Sequence, residues 1–215
     1  MFYGRRQGRA IKKNKKALLE GVLPQFQITL DQGTVKCSSS LGGYKEAWLE
    51  IGFGTGDHLA HVAEKYPDIL MIGCEPFING VASFLGGIEG KNVTNARIFM
   101  DEAQSLLQTM PLHYFSKIFL LFPDPWPKKR HHKRRFVTLE NLALLANVLK
   151  KEGEFLFATD HLEYREWALD VFGRSKDFQI LSAGMEAPVD WVTTRFQEKG
   201  LQEGRPAYFV RLVRI

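Results

Sequence analysis

Cysteine is almost missing from this chain, with Cys37 and Cys74 the only two in 215 residues. They lie far apart without a CxxC pair, so the sequence offers neither a disulfide framework nor a thiolate metal site, and a reducing cytoplasm suits it. No run of eighteen apolar residues occurs, and no apolar segment follows the charged N-terminus, which disfavours membrane spanning and secretion. There is no internal repeat. Acids are missing from two particular places. One block holds Arg5, Arg6, Arg9, Lys12, Lys13, Lys15 and Lys16, the other Lys128, Lys129, Arg130, Lys133, Arg134 and Arg135, with no Asp or Glu inside either. The net charge of +5 conceals this layout, because outside these thirteen cations the 24 acids outnumber the remaining Lys and Arg. An acidic body with two basic blocks suits a polyanion, nucleic acid foremost, and neither block opens the apolar helix face that a membrane surface requires.

With 45% apolar residues the chain can bury one sizeable core. The reading is a basic arm and lead-in over residues 1–45, rich in Gly and Ser towards its end, and a single domain over 46–215. Lys12, Lys13, Lys15 and Lys16 are expected to be mobile alone and to order on RNA. Apolar runs then alternate with helical spacing. Strands are predicted at 47–51, 69–74, 93–100, 117–122 and 153–159, with helices near 57–66, after Pro76, at 136–149 and near 162–172. Two further apolar runs, 178–181 and 208–215, close the chain. Repeated strand–helix units predict an α/β fold with a doubly wound, mostly parallel sheet, whose ligands lie beyond the strand C-termini.

Those C-termini carry a carboxylate each: Glu50, Glu75, Asp101, Asp124 and Asp160. Any one of them can be a helix N-cap, Asp101 and Asp160 first among them. Five on one sheet edge repel unless amine or hydroxyl ligands separate them, as a nucleoside-like cofactor with a charged amine would do. After Glu50 comes Ile51-Gly52-Phe53-Gly54-Thr55-Gly56, three alternate glycines that let the backbone turn sharply and approach a ligand. The dinucleotide spacing GxGxxG would need glycine where Asp57 stands, followed here by His58. With Glu75 placed as a ribose-hydroxyl acceptor, the combination favours S-adenosylmethionine over a dinucleotide.

The most informative stretch runs from Phe122 to Arg135, FPDPWPKKRHHKRR. Prolines 123, 125 and 127 restrict the turn and pre-aim Asp124 and Trp126. Trp126 either stacks on an exposed base or packs as a core ring under the turn. His131 and His132 lack metal partners at ligand spacing, so no metal is expected.

On these residues the chain resembles the class I S-adenosylmethionine-dependent methyltransferases, and closely the tRNA (guanine-N7)-methyltransferase family. The likeness spans most of the chain: residues 2–9 (FYGRRQGR), Leu49 to Gly56, Gly73-Cys74-Glu75, Met100 to Ala103, residues 122–135, Ala158 to His161, and Thr194-Arg195-Phe196-Gln197. It implies a Rossmann-like sheet of seven strands with one antiparallel near the C-terminus, and methyl transfer from S-adenosylmethionine to N7 of a guanine in the tRNA variable loop. By the same resemblance Glu50, Gly52, Gly54 and Gly56 line the methionine side of the cofactor, Glu75 takes the ribose and Asp101 neighbours the adenine. Asp124 is the catalytic-site residue, also beside the cofactor, while Lys128, Asp160 and Thr194 to Gln197 contact substrate. The family usually has Glu where Gln197 stands, which puts a charged contact in doubt. A monomer or homodimer is expected, in the cytoplasm. A non-catalytic RNA-binding protein keeping this fold is the alternative; a dehydrogenase or aminopropyl transferase would have no use for the clustered cations.

Overall fold

The computed structural model describes residue 4 and residues 6–188 and 191–215. Residues 2, 3 and 5 of the arm motif lie outside the described residues. The chain forms two compact units, Met1–Met110 and Pro111–Ile215.

The first unit runs α1 (Lys13–Gly21), α2 (Leu23–Phe26), β1 (Gln27–Asp31), β2 (Thr34–Cys37), β3 (Glu46–Ile51), α3 (Asp57–Lys65), β4 (Ile69–Cys74), α4 (Ile78–Ile88), β5 (Ala96–Phe99) and α5 (Ala103–Leu107). Its strands lie in the order β2-β1-β5-β4-β3. β3, β4 and β5 are parallel, with Ile51 opposite Cys74 and Cys74 opposite Phe99. That register brings the three strand ends level, so the residues just beyond them share one edge. β4 is buried along nearly its whole length, as expected of a parallel strand covered on both faces. Leu59, Val62, Met71, Phe84, Leu85 and Ile98 form the core, and Leu18 and Leu19 of α1 pack against it. Burying each such side chain contributes about 1.5–3 kcal/mol.

Two features differ from the sequence reading. Three of the four lysines expected to be mobile, Lys13, Lys15 and Lys16, belong to α1, and Lys15 Nζ donates to Ser83 Oγ of α4 at 2.8 Å. The Leu18–Leu19 face, not the cations, decides the helix's fate. The lead-in also contains a hairpin, β1–β2, closed by Gln32 and Gly33, both left-handed (φ 49° and 74°), the twist that two-residue hairpin turns require.

The second unit runs β6 (Phe115–Leu121), a 3-10 helix (Lys129–Arg134), α6 (Leu139–Val148), β7 (Leu149–Thr159), α7 (Leu162–Arg174), β8 (Phe178–Gly184), α8 (Arg195–Gln202) and β9 (Tyr208–Arg214). Its strand order is β6-β7-β9-β8. β6 and β7 are parallel, and β9 runs antiparallel to both β7 and β8. The predicted strands are β3 to β9, with β9 the antiparallel one. The count among the described residues is nine rather than seven because of the β1–β2 hairpin. An aromatic core of Phe155, Phe157, Tyr164, Phe172 and Phe178 fills this unit, with ring centroids 5.6–6.0 Å apart.

Candidate active site

In the first unit the glycine turn follows directly from its conformations. Gly52, Gly54 and Gly56 have φ of 70°, 56° and 79°, the left-handed region where only glycine sits without strain. The turn is also pressed from behind. A Cβ on Gly80 of α4 would lie 2.3 Å from the Gly54 carbonyl oxygen, so the helix backbone packs straight onto the turn. Gly80→Ala is expected to cost about 1–3 kcal/mol, read as a lower thermal midpoint; an unchanged midpoint would mean that α4 yields easily.

The acids at this edge are already engaged. Glu50 is 2% exposed, and His58 Nδ1 lies 2.8 Å from its Oε2. Glu75 accepts from the backbone N–H of Gly54 at 2.8 Å through Oε2 and from that of Phe77 at 2.9 Å through Oε1, clamping the turn to the start of α4. Asp101 Oδ1 accepts from Arg6 Nη2 at 2.6 Å and from the Glu102 N–H at 2.8 Å. Arg6 belongs to a short arm segment docked on α4, where the Gly8 N–H donates to Asn79 Oδ1 and Ile78 N–H to the Arg6 carbonyl.

In the second unit Asp124 follows β6. The prolines alone do not set its turn: Phe122 and Trp126, each directly before a proline, have φ of 50° and 47°. A bulky pre-proline residue in the left-handed region is doubly disfavoured, and such strain collects at functional sites. Arg135 holds the turn in place. It is 2% exposed, donates from Nε to the Pro125 carbonyl at 2.8 Å and from Nη2 to Glu163 Oε1 at 3.1 Å, and lies over the rings of Tyr164 and Trp167 at 5.2 and 5.1 Å. The cation run is therefore not six equal phosphate grips. Lys128, Lys129, Arg130 and Lys133 are exposed, Arg134 lies 4.8 Å over the Trp126 ring, and Arg135 is structural. Trp126 matches neither expectation alone, since it is a half-buried ring with Arg134 over one face and His131 edge-on at 5.8 Å. Partial desolvation, then Arg134, Arg130, Lys128 and Lys133, lower the His131 pKa, so this imidazole is neutral near pH 7 and adds no charge to the run. Arg135→Ala is expected to destabilise by about 2–3 kcal/mol, leaving the Pro125 carbonyl without its donor and Glu163 with His132 alone. Lys133→Ala should leave the melting temperature unchanged, and equal melting of the two variants would contradict the assignment.

Among the described residues none hydrogen-bonds or ion-pairs with the Asp124 carboxylate. Burial pushes its pKa up, although solvent reaches the residue; the rise is that of an acid walled on some sides at an open rim, not of an enclosed one. Asp160, by contrast, accepts from Arg205 Nε at 2.8 Å and sits against Gly200, where a Cβ would come within 2.8 Å of Oδ2. It lines an open cavity of about 490 Å³ with His161, Glu163, Glu166, Arg205 and Pro206. Leu121 of β6 pairs with Ala158 of β7, so Asp124 and Asp160 follow neighbouring strand ends. The N-cap positions are Glu102 and His161, one residue later than the sequence suggests. The segment 194–197 divides in two. Thr194 caps α8 by accepting from the Gln197 N–H at 3.2 Å, and buried Gln197 accepts from Trp191 Nε1 at 2.6 Å through Oε1; Arg195 and Phe196 are exposed.

The family model described as "Putative methyltransferase" matches residues 45–210. A tRNA (guanine-N(7)-)-methyltransferase of Paracoccus denitrificans is 42% identical over 97% of this chain and 92% of its own length. One from Zymomonas mobilis is 38% identical over 100% and 94%. The chain belongs to the tRNA (guanine-N7)-methyltransferase family. Solved structures extend the likeness of fold. The 16S rRNA methyltransferase KamB matches with a TM-score of 0.60 at 16% identity, covering 80% of this chain and 88% of that one. The antibiotic-resistance methyltransferase Kmr matches at 0.55 and 16%, covering 87% and 99%.

The Gln197 amide oxygen serves the Trp191 indole. The sequence reading missed His58, Arg6 as the partner of Asp101, and Arg205. Only His58 had a local signal, standing where the dinucleotide pattern fails just after the third glycine. Among the described residues no group of three or more His, Cys, Asp or Glu could hold a metal ion, and no helix is long and apolar enough to cross a membrane.

Proposed function

We propose that this enzyme transfers the methyl group of S-adenosylmethionine to N7 of a guanine in tRNA, a guanine of the variable loop, and that Asp124 orients that base. One observation carries the reading: of the five acids at strand ends, four are satisfied within the protein, and the fifth, on the strained FPDPWP turn, has no described partner. The first unit fits the donor. Its three left-handed glycines give a turn that backbone can offer closely to a ligand, and the carboxylates of Glu50, Glu75 and Asp101 stand at its edge. When bound, S-adenosylmethionine supplies an electrophilic methyl group on a sulfonium.

The residues of the chain then divide the work. Glu50 serves the amino-acid end of the donor. Glu75, held in place by its bonds to the Gly54 and Phe77 N–H groups, takes the ribose, and Asp101 serves the adenine side. Guanine N7 has an in-plane lone pair and no proton, so no general base is needed and positioning carries the catalysis, an effect of about 7–11 kcal/mol when two reactants are held in near-attack geometry. Asp124 accepts from the N1–H and amino edge of guanine and offsets the positive charge growing on the ring. Asp160, Arg195 and Phe196 meet the substrate beside it, with Lys128 and the exposed cations of the 3-10 helix on its phosphates, whose binding weakens as salt rises. The lead-in 1–45 adds the second basic block to the domain 46–215, and the setting is the cytoplasm.

Unmodified tRNA incubated with labelled donor, followed by cleavage chemistry specific for N7-methylguanine, tests the reading. Label and cleavage at one variable-loop guanine are expected. Tight tRNA binding without label would leave a binding protein that has kept the fold.

A further inference from the structure

His58 pairs with Glu50 across the glycine turn. Glu50 is the penultimate residue of β3 and His58 the second of α3, so their contact joins the two ends of the turn that holds Gly52, Gly54 and Gly56. Both side chains are buried, 3% and 6% exposed, and Nδ1 lies 2.8 Å from Oε2. A buried carboxylate is costly unless it is paired and hydrogen-bonded. Because an ionised carboxylate only accepts, the imidazole proton sits on Nδ1. Among the described residues His58 is the side chain that hydrogen-bonds Glu50, and it takes Oε2.

We propose that His58 is a positioning residue for the methyl donor: by holding Oε2 it fixes the rotamer of Glu50, and leaves Oε1 to accept the donor's α-ammonium group. The inference rests on the reading of Glu50 as the acceptor for the donor's amino-acid end. His58 acts through Glu50 and touches no reacting atom. A fixed carboxylate in a buried setting binds a cation better than a mobile one, because the ordering cost is met before the ligand arrives.

Calorimetric titration with two nucleosides separates this role from mere support of the fold. S-adenosylhomocysteine carries the amino-acid end, and methylthioadenosine lacks it. For His58→Ala the affinity for S-adenosylhomocysteine should fall about tenfold or more, equivalent to ~1.4 kcal/mol, with that for methylthioadenosine changed less than about threefold. His58→Asn, whose amide nitrogen overlays Nδ1, should restore the affinity, whereas His58→Gln, whose nitrogen overlays Nε2, should not. The Asn and Gln pair decides the matter if the alanine variant does not hold its fold. Equal losses for both nucleosides, no loss for either, or Asn and Gln behaving alike would overturn the role of His58. Wild-type protein binding both nucleosides equally well would instead overturn the reading of Glu50 on which it rests.

Discussion

Asp124→Asn should lower turnover by about 100-fold or more while leaving donor affinity unchanged, the size of effect seen when one preorganised electrostatic partner of a transition state is removed. The amide keeps the shape of the side chain on its strained turn and loses the charge. The carboxylate has no described partner to leave stranded, so stability should hold. Single-turnover measurements with saturating tRNA read the loss directly. The pH profile adds a second test. Burial raises the Asp124 pKa, so the ionised form that orients guanine is lost as pH falls through a value above the ordinary aspartate range. Turnover of the wild type should therefore decline on that acid limb, and the Asn variant should lack the limb. Unchanged turnover in Asp124→Asn with intact binding would remove the residue from the mechanism.

Glu75→Ala should act on the other substrate. Both of its oxygens are bound by backbone N–H groups, of Gly54 and Phe77 at 2.8 and 2.9 Å, and hydrogen bonds to a charged group contribute about 1.5–3 kcal/mol each. Without them the glycine turn loses its tie to α4 and the ribose loses its acceptor. Donor affinity is expected to fall by about 100-fold or more, and tRNA affinity at fixed salt to stay the same. Glu75→Gln, with one acceptor oxygen left, should lie between. Titration with S-adenosylhomocysteine checks both variants; an alanine variant that binds it normally would show the clamp to be dispensable.

The legible parts of the fold were those whose burial is written locally. β4 coincides with the predicted run 69–74 because a strand covered on both faces is apolar from end to end. β7 begins at Leu149, four residues before its predicted start, since Lys150, Lys151 and Glu152 resemble a loop and the pairing of Phe115 with Leu149 is visible only in three dimensions. The β1–β2 hairpin was hidden by a Gln-Gly turn, a weaker signal than Asn-Gly, inside a stretch whose composition resembles a lead-in. Charge misled in the same way at α1, where three lysines outweighed Leu18 and Leu19.

The site shows the same division. The strand-end positions of the five acids followed from the order of the elements, but not their partners. Arg6 lies 95 residues from Asp101 and Arg205 lies 45 from Asp160, so the expected mutual repulsion of five carboxylates gave way to four satisfied within the protein and one, Asp124, without a partner among the described residues. Arg135 looks identical in sequence to its neighbours in the basic run, and only its burial beneath the turn shows that it holds Pro125 rather than a phosphate.

The measurement that bears most directly on the chemistry is methyl transfer to a tRNA whose target guanine is replaced by deazaguanine, with carbon in place of N7 and the rest of the base edge intact. Binding should be retained and transfer abolished, because the accepting lone pair is the one feature removed. Transfer at the normal rate to that tRNA would place the methyl group on another atom and contradict the account.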